Sequence, residues 1–246
     1  MPAVPAENRA VRPSCSRARG EVGCAKCKIR LLSVCAALDE NELCELEALA
    51  QQTVFEPKKT LFIQDEPADA IYNITDGVVR LYKLLPDGRR QIIGFALPGN
   101  FLGLSMADRY GFSADAVVPV KACRFSREGF SNLLDDKPHL LRRLHELATH
   151  ELTLAQDQMV VLGRRSAEEK VASLLIGLRD RWARVNGVVV TVPLPMSRQD
   201  IADFLGLTIE TVSRTLTRFA REKIILIVPD GVRLLDPRRM EALTEA

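Results

Sequence analysis

The chain has 246 residues, and its 34 lysines and arginines against 32 aspartates and glutamates give a formal net charge of +2. This length and a hydrophobic content of 47% are typical of one or two globular domains. No apolar stretch approaches the roughly eighteen residues that span a bilayer, and the N-terminus MPAVPAENRAVRPSC lacks the apolar region of a signal peptide. We therefore expect a cytoplasmic protein with no membrane partner.

Positive charge is concentrated in the last third of the chain. Residues 164–240 carry 14 basic and 9 acidic side chains, whereas the remaining residues carry 20 basic and 23 acidic ones. A polyanion could use this local surplus, but an ordinary solvated surface explains it equally well.

The sequence before residue 60 has the composition of a flexible tail followed by the pattern of one helix. Residues 1–22 are rich in Pro, Arg, Ser and Gly without apolar periodicity, which indicates a flexible segment. Residues 38–51 place leucines on one face among acidic side chains, as in a short amphipathic helix. Asp39 and Glu42 have the spacing of a capping box at its start.

Short β-branched and aromatic runs follow between residues 60 and 125. The runs TLFI, AIYNI, VVRLYKLL, RQIIGFAL and DAVVPVKACRF alternate with turn signals such as Asp76-Gly77 and Pro98-Gly99. Strands of this length with a turn about every ten residues are typical of a β-sandwich or jelly roll. We therefore predict an all-β barrel domain.

A long helix is predicted after Pro138, because a proline-free stretch repeats apolar residues at heptad spacing. One apolar stripe, called the seam below, consists of Leu141, Ala148, Leu152, Ala155, Met159 and Leu162. A second stripe consists of Leu140, Leu144, Leu147, Leu154 and Val161. Two stripes can serve two partners, so we expect one to pack on the chain's own barrel and the other on a second copy in a homodimer. The alternative is a single wide face buried within a monomer.

Residues after the long helix carry the signals of a helix-turn-helix. Ser197 with Asp200 fits an N-cap with an acidic third residue, and Gly206 fits a left-handed helix stop. Thr208 can cap a second helix three residues before Thr211. Two short helices joined by a tight glycine turn make this motif.

Further elements flank the helix-turn-helix. Residues 166–184 predict an amphipathic helix, and VVVTVPLP after Gly187 predicts a short strand pair. After the motif, the runs IILIV and VRLLD around Pro229-Asp230-Gly231 predict a hairpin that resembles a wing.

The second helix of the motif has an apolar and a polar face. Its apolar positions, expected to pack on the first helix, are Ile209, Val212, Leu216 and Phe219. Its outward positions are Glu210, Ser213, Arg214 and Thr217. Arg can bind guanine O6 and N7, and Glu can accept from cytosine N4, so this face suits base reading in double-stranded DNA. The alternatives are a surface ion pair between Glu210 and Arg214, or a helix-turn-helix that binds no DNA.

Six cysteines remain to be explained, and without a signal peptide a disulfide framework is disfavoured. Cys24 and Cys27 form a CxxC pair, Cys35 follows after seven residues, and Cys123 lies on a predicted barrel strand. Three clustered thiolates and a remote one suit zinc or an iron-sulfur cluster, and spacing alone does not choose between them. A surface redox pair or incidental cysteines are the alternatives.

Together, the cysteine cluster, the barrel, the long helix and the segment DFLGLTIETVSRTLTRF resemble the Crp/Fnr superfamily of bacterial transcription regulators, in its Fnr-like branch. The resemblance covers roughly residues 24–240. It implies an α+β fold with a jelly-roll sensor domain like those that bind cyclic nucleotides, a dimerisation helix and a winged helix-turn-helix. The corresponding divisions are 1–22 for the tail, 23–136 for the cysteine segment and sensor, 137–164 for the helix and 165–246 for the DNA-binding domain.

The family resemblance also implies function. Glu210, Ser213 and Arg214 match the positions of the base-reading residues of the Fnr branch, which read a TTGAT half-site of a palindrome. Cys24, Cys27, Cys35 and Cys123 match the ligands of its oxygen-labile [4Fe-4S] cluster, with the seven-residue gap of alphaproteobacterial members. Cys15 and Cys44 have no counterpart. The implied protein is a homodimeric regulator of anaerobic or microaerobic gene expression, with RNA polymerase as a further partner.

Two positions depart from relatives. Cyclic-nucleotide-binding members carry Gly-Glu and then Arg-Ser in the barrel, but no Glu follows Gly103 and the nearby Arg109 does not match, so we expect no cyclic nucleotide. Fnr-like proteins commonly carry an acidic residue in the dimer seam, where this chain has Ala155. The switch is therefore expected to move helix packing within a standing dimer.

Other functions give weaker matches. A related regulator could use heme, nitric oxide or a structural zinc ion instead of the cluster. An enzyme is not expected, because the sequence lacks a Gly-rich phosphate loop, GxSxG and HExxH.

Overall fold

The structure is a computed structural model that describes residues 23–104 and 107–245. The tail expected at residues 1–22 lies outside the described residues. The helices are α1 Glu40–Leu49, α2 Arg127–Asp136, α3 Pro138–Arg164, α4 Ala167–Asn186, α5 Arg198–Leu205, α6 Ile209–Arg221 and α7 Pro237–Glu245. Short 3₁₀ helices span Cys24–Lys26, Arg30–Leu32 and Val34–Ala37. None of the described helices is both long enough and apolar enough to cross a membrane.

Strands β1 to β8 build the sensor part. They are β1 Gln51–Phe55, β2 Thr60–Phe62, β3 Ala70–Asp76, β4 Val79–Leu84, β5 Arg90–Ala96, β6 Phe101–Leu102, β7 Ser113–Ala116 and β8 Val120–Ser126. They form two antiparallel four-stranded sheets with the orders β1-β8-β3-β6 and β2-β7-β4-β5. Buried Ile74, Val79, Ala114 and Val120 belong to the core of this part. The predicted jelly roll is confirmed.

The sensor strands differ from the sequence pattern in two places. The run at 115–125 is two strands, β7 and β8, because the chain turns at residues 117–119 around Pro119, which has no amide hydrogen to donate to a ladder. The predicted helix at 38–51 ends earlier, at Leu49, and strand β1 begins at Gln51, whose neighbours are mostly exposed because β1 is an edge strand beside β8.

The C-terminal part is a winged helix-turn-helix. Strands β9 Thr191–Pro193, β10 Ile225–Val228 and β11 Gly231–Leu234 form a sheet in the order β10-β11-β9. The predicted wing hairpin is confirmed as β10 and β11. The strand pair predicted from VVVTVPLP is wrong, because that segment provides the single strand β9, which finds its partner in β11.

The two parts share one apolar core. Buried Val78, Ile92, Phe95 and Leu97 of the sensor part belong to the same cluster as buried residues of α4, α5 and α6. Helix α5 packs on strand β5, so the first helix of the motif rests directly on the outer strand of the second sheet.

Candidate functional site

Four cysteines from two distant parts of the chain come together. Cys24 begins the first 3₁₀ helix, Cys27 follows its end, Cys35 lies in the third 3₁₀ helix, and Cys123 lies on β8. All four are free thiols. Cys35 and Cys123 are buried, whereas Cys24 and Cys27 are half-buried. The four residues that the sequence singled out are near enough for their charges to act on one another.

Burial and mutual repulsion act on these thiols. Burial, followed by the charges of Glu47 and of the other three cysteines, raises the pKa of Cys24 to about 12. Burial and the neighbouring Cys27 and Cys35 raise the pKa of Cys123 to about 11. Burial also raises the pKa of Cys35, against a hydrogen bond from Ser33. The thiolate forms of Cys24, Cys35 and Cys123 are therefore disfavoured without a cation, and a bound metal group would supply the missing positive charge.

Two amide side chains flank Cys123 on the neighbouring strands. Gln52 of β1 and Asn73 of β3 are its register partners on either side. Gln52 Nε2 donates to Cys123 Sγ at 3.3 Å, and the buried Asn73 directs Nδ2 toward Cys35 Sγ at 4.0 Å. Such N–H···S contacts tune metal-bound thiolates. Sequence reasoning missed both amides, because only the strand register identifies them.

The cysteine group is not a preformed ion site. No three or more His, Cys, Asp or Glu side chains among the described residues stand together as a set that could hold a metal ion. Cys44 is not among the free thiols, because it is disulfide-bonded. Cys15 lies outside the described residues.

The cysteine group contacts the start of the long helix. The 3₁₀ helix that contains Cys35 packs on α3, and Leu140 of α3 shares a buried cluster with Cys35 and Cys123. Helix α1 adds polar links, since His139 Nε2 lies 3.0 Å from Glu42 Oε2. The loop that carries Cys35 and the start of α3 are therefore in direct contact.

The two apolar stripes of α3 have different environments. In the second stripe, Leu140 and Val161 are buried, while Leu144 and Leu147 pack against the buried cluster around the cysteines. All six residues of the seam are exposed, with Leu152 at 58% and Met159 at 69%. A row of exposed apolar side chains on a long helix is a surface that a second helix would cover.

The helix-turn-helix has the predicted end signals. Ser197 and Asp200 form a capping box at the start of α5, and Gly206 ends it with φ 61° and ψ 42°. Thr208 accepts a hydrogen bond from the Thr211 amide at the start of α6. These contacts fix the two helices relative to each other.

Replacing Gly206 with alanine is expected to destabilise the protein by about 1 to 2 kcal/mol, because an L-residue is strained in the left-handed conformation. The added Cβ would meet its nearest neighbour, Leu162 Cδ2, at 3.6 Å, so crowding adds little. Denaturant unfolding measures the change. Gly177→Ala, at an exposed position of α4 with no neighbouring atom near the added Cβ, is the control and should be neutral or stabilising. Equal behaviour of both variants would contradict the strain argument.

The outward face of α6 carries the predicted base-reading residues. Glu210, Ser213, Arg214 and Thr217 are all exposed. Hydrogen bonds from its own backbone amide and from Thr208, with the charge of Arg214, hold the pKa of Glu210 below its usual value. Arg214 Nη2 donates a long hydrogen bond to Thr211 Oγ1 at 3.4 Å, so its guanidinium is weakly held.

Two further arginines, which sequence reasoning missed, extend this face. A groove of about 450 Å³ is lined by Ser213, Arg214, Thr217, Arg218 and Arg221. Arg218 and Arg221 follow Arg214 by four and seven residues, a spacing that places all three on one helix face and could have identified them from the sequence. Arg218 is paired with Glu222 at 3.0 Å and with Glu168. Three guanidinium groups around one groove favour an anionic partner.

Apolar packing of α6 follows the prediction with one exception. Val212, Leu216 and Phe219 are buried, but Ile209 is 37% exposed. Ile209 is the first residue of α6, so it lies at the margin of the packing surface. Thr215, in the middle of the helix, is buried although it was not among the predicted apolar positions.

This architecture, a jelly roll joined through a long helix to a winged helix-turn-helix, matches that of bacterial transcription regulators. Residues 194–225 match the family model described as bacterial regulatory proteins, crp family, and residues 52–137 match the cyclic nucleotide-binding domain. The chain belongs to the Crp/Fnr family of regulators, as relatives at least 53% identical over 91% or more of its length show. This confirms the predicted family, the fold class and the expectation of a regulator instead of an enzyme.

Individual relatives cover nearly the whole chain. The transcriptional activatory protein AadR of Rhodopseudomonas palustris is 57% identical, over 95% of this chain and 96% of the relative. The nitrogen fixation regulation protein FixK of Bradyrhizobium diazoefficiens is 53% identical, over 91% and 94%. Among solved structures, FixK2 from Bradyrhizobium japonicum is 34% identical with a TM-score of 0.74, over 80% of this chain and 98% of that one.

Proposed function

We propose that this protein is an oxygen-responsive transcription activator of anaerobic or microaerobic genes, which senses through a [4Fe-4S] cluster and binds a TTGAT-type palindrome as a homodimer. The observation that carries the sensing proposal is that Cys35 of the N-terminal loop and Cys123 of β8 share a buried cluster with Leu140 of α3, with Cys24 packed against it and Cys27 acting on both thiols through its charge. The names of relatives such as AadR support the activator role. An activator that works on DNA has RNA polymerase as its further partner, in the cytoplasm.

The donor set fits an iron-sulfur cluster. Four free thiols are near enough for their charges to act on one another, and amide donors approach Cys123 and Cys35, although the thiols do not stand as a preformed ligand set among the described residues. Cys24, Cys27, Cys35 and Cys123 would hold the group. A bound cluster supplies an oxygen-labile linkage shared by both parts of the chain. Without the cluster, Cys24, Cys35 and Cys123 would be protonated thiols near neutral pH, because burial raises their pKa.

The loop that carries Cys35 transmits the change. Since its 3₁₀ helix packs on α3, release of Cys35 alters the support of Leu140 and Leu144. An adjacent face of α3, about a hundred degrees around the helix, carries the seam, so the same helix connects the cysteine group to the proposed dimer interface. A shift of α3 would then change how the two helix-turn-helix units are presented to DNA.

Metal analysis of protein purified without air tests the sensing proposal. We expect about four iron atoms and four acid-labile sulfides per chain. About one zinc per chain without sulfide would indicate a structural zinc site instead. Iron bound as heme, without acid-labile sulfide, would likewise contradict the cluster.

A cyclic nucleotide is not proposed as the effector. Leu104 follows Gly103 where nucleotide-binding relatives have Glu. The nearby cation, Arg109, donates through Nη1 to the carbonyl oxygen of Asp65 at 2.5 Å. Its guanidinium is therefore already engaged by the chain's own backbone.

Ala155→Asp tests the proposed dimer seam. The substitution would place two carboxylates across the two-fold axis of an apolar interface, where repulsion is weakly screened. We expect dimerisation of the cluster-free protein to weaken by at least about tenfold, with a smaller effect on the cluster-loaded form. Sedimentation of aerobic and anaerobic samples measures both.

Gln156→Asp is the matched control for this experiment, since it adds the same charge at the next residue, which is exposed but outside both apolar stripes. It should leave association unchanged. If Ala155→Asp also left association unchanged, the seam would not be the interface. An unmodified protein that is wholly monomeric in air would contradict the standing dimer.

A further inference from the structure

A buried acidic residue at the start of the helix-turn-helix is held by two arginines of the sensor. Asp200 of α5 has a side chain that is only 6% exposed. Its Oδ1 lies 3.0 Å from Arg80 Nη1 of β4 and 2.9 Å from Arg90 Nη2 of β5. Arg80 also pairs with Asp115 of β7 at 3.1 Å, which anchors it to the sensor sheet.

Further contacts run along the same boundary between β5 and α5. Arg90 Nη2 lies 3.1 Å from Asp203 Oδ2, and Gln91 Nε2 donates to the Asp203 carbonyl oxygen at 2.6 Å. The rings of Phe95 and Phe204 meet edge to face with centroids 5.4 Å apart. The boundary therefore combines directional polar contacts with apolar packing.

The charges at this boundary persist at neutral pH. Burial on its own raises the pKa of Asp200, but hydrogen bonds from Ser197 and the charges of Arg80 and Arg90 outweigh it and hold the pKa below its usual value. Such a partly buried network contributes little net stability, but losing one partner leaves a buried charge without compensation. Its main physical effect is to favour one relative orientation over others.

That orientation decides where α6 points. Helix α5 is joined to α6 by the tight turn at Gly206, so fixing α5 on the sheet also fixes α6. The reading face of α6 stays exposed in this arrangement, with Ser213, Arg214 and Thr217 open to a partner. In a dimer, the direction of the two recognition helices sets the accepted distance between half-sites.

We propose that Arg80 and Arg90 are positioning residues for DNA recognition, which act through Asp200 and Asp203 to hold the two recognition helices at one separation. The inference rests on the proposed function of dimeric DNA binding. Neither arginine touches DNA in this proposal. Their loss should therefore affect the discrimination between half-site spacings more than the contacts to bases.

The test compares Arg90→Gln with Arg89→Gln in the full-length protein, prepared without air. Arg89 is the adjacent residue, is 77% exposed and pairs only locally with Asp87 at 2.7 Å, so both variants lose the same charge. Binding is measured on a TTGAT palindrome and on the same palindrome with its spacer lengthened by two base pairs. Arg90→Gln should bind the first duplex about tenfold more weakly and lose most of its discrimination against the second. Arg89→Gln should retain both properties of the unmodified protein.

Asp203→Asn provides a second variant on the helix side, and it should show the same reduced discrimination. Uniform weakening on both duplexes would indicate simple loss of stability and would overturn the positioning role. Unchanged binding of Arg90→Gln and Asp203→Asn would also overturn it. If neither the unmodified protein nor Arg89→Gln bound the palindrome, the proposed function itself would fail, which is a distinguishable outcome.

Discussion

Replacing Cys123 with serine is expected to abolish anaerobic binding of the palindrome. A serine hydroxyl stays protonated near neutral pH and is a poor ligand for iron, so the only ligand from the barrel would be lost. Serine fits the space of cysteine, so the buried cluster around Phe125 and Leu140 should stay packed. Gel shift without air, together with iron and sulfide analysis, measures the effect.

Controls for Cys123→Ser come from the same chain. Cys24→Ser, Cys27→Ser and Cys35→Ser should behave alike, because each removes one of four ligands. Cys15→Ser and Cys44→Ser should keep both the cluster and DNA binding. A Cys123→Ser protein with full iron and sulfide would show that this ligand assignment is wrong.

Replacing Arg214 with alanine is expected to relax the preference for the G of TTGAT by about 5- to 150-fold, the range for one bidentate contact to guanine. Its guanidinium lies at the exposed face of α6 and has only a weak contact to Thr211. Competition binding with duplexes that carry each base at this position measures the preference. Glu210→Ala should likewise relax the preference for the cytosine that pairs with this guanine.

Arg221→Ala is the comparison for base reading. Arg221 lines the same groove two helical turns further on, where a side chain reaches phosphate more readily than bases. Its loss should weaken specific and random DNA alike and reduce the salt dependence of binding. If Arg214→Ala gave this uniform loss instead, Arg214 would be a phosphate contact and not a base reader.

Local signals made the helix-turn-helix predictable from the sequence. The caps at Ser197 and Thr208 and the stop at Gly206 act within four residues, so the chain itself carries the information. Strand β1 was missed because its polar residues gain their role from pairing with β8, about 70 residues away. Ladder partners at that distance leave no periodic signal in either segment.

The candidate sites likewise combine residues that local sequence signals reveal with residues that only long-range contacts reveal. The cysteines attracted notice by their spacing, but only the register of β8 reveals Gln52 and Asn73 beside Cys123. The contacts of Asp200 with Arg80 and Arg90 join positions 120 and 110 residues apart. These residues look like ordinary surface charges in the sequence, since nothing local indicates that the two parts of the chain dock.

The most direct measurement follows cluster and DNA binding in one sample. Protein purified without air is mixed with a labelled TTGAT palindrome, and its absorption spectrum and the bound fraction are recorded before and during the admission of air. The account predicts a broad absorbance near about 400 nm that is lost on aeration, with specific binding lost at the same rate. A colourless protein, a sharp heme band, or binding that persists after the absorbance has gone would contradict it.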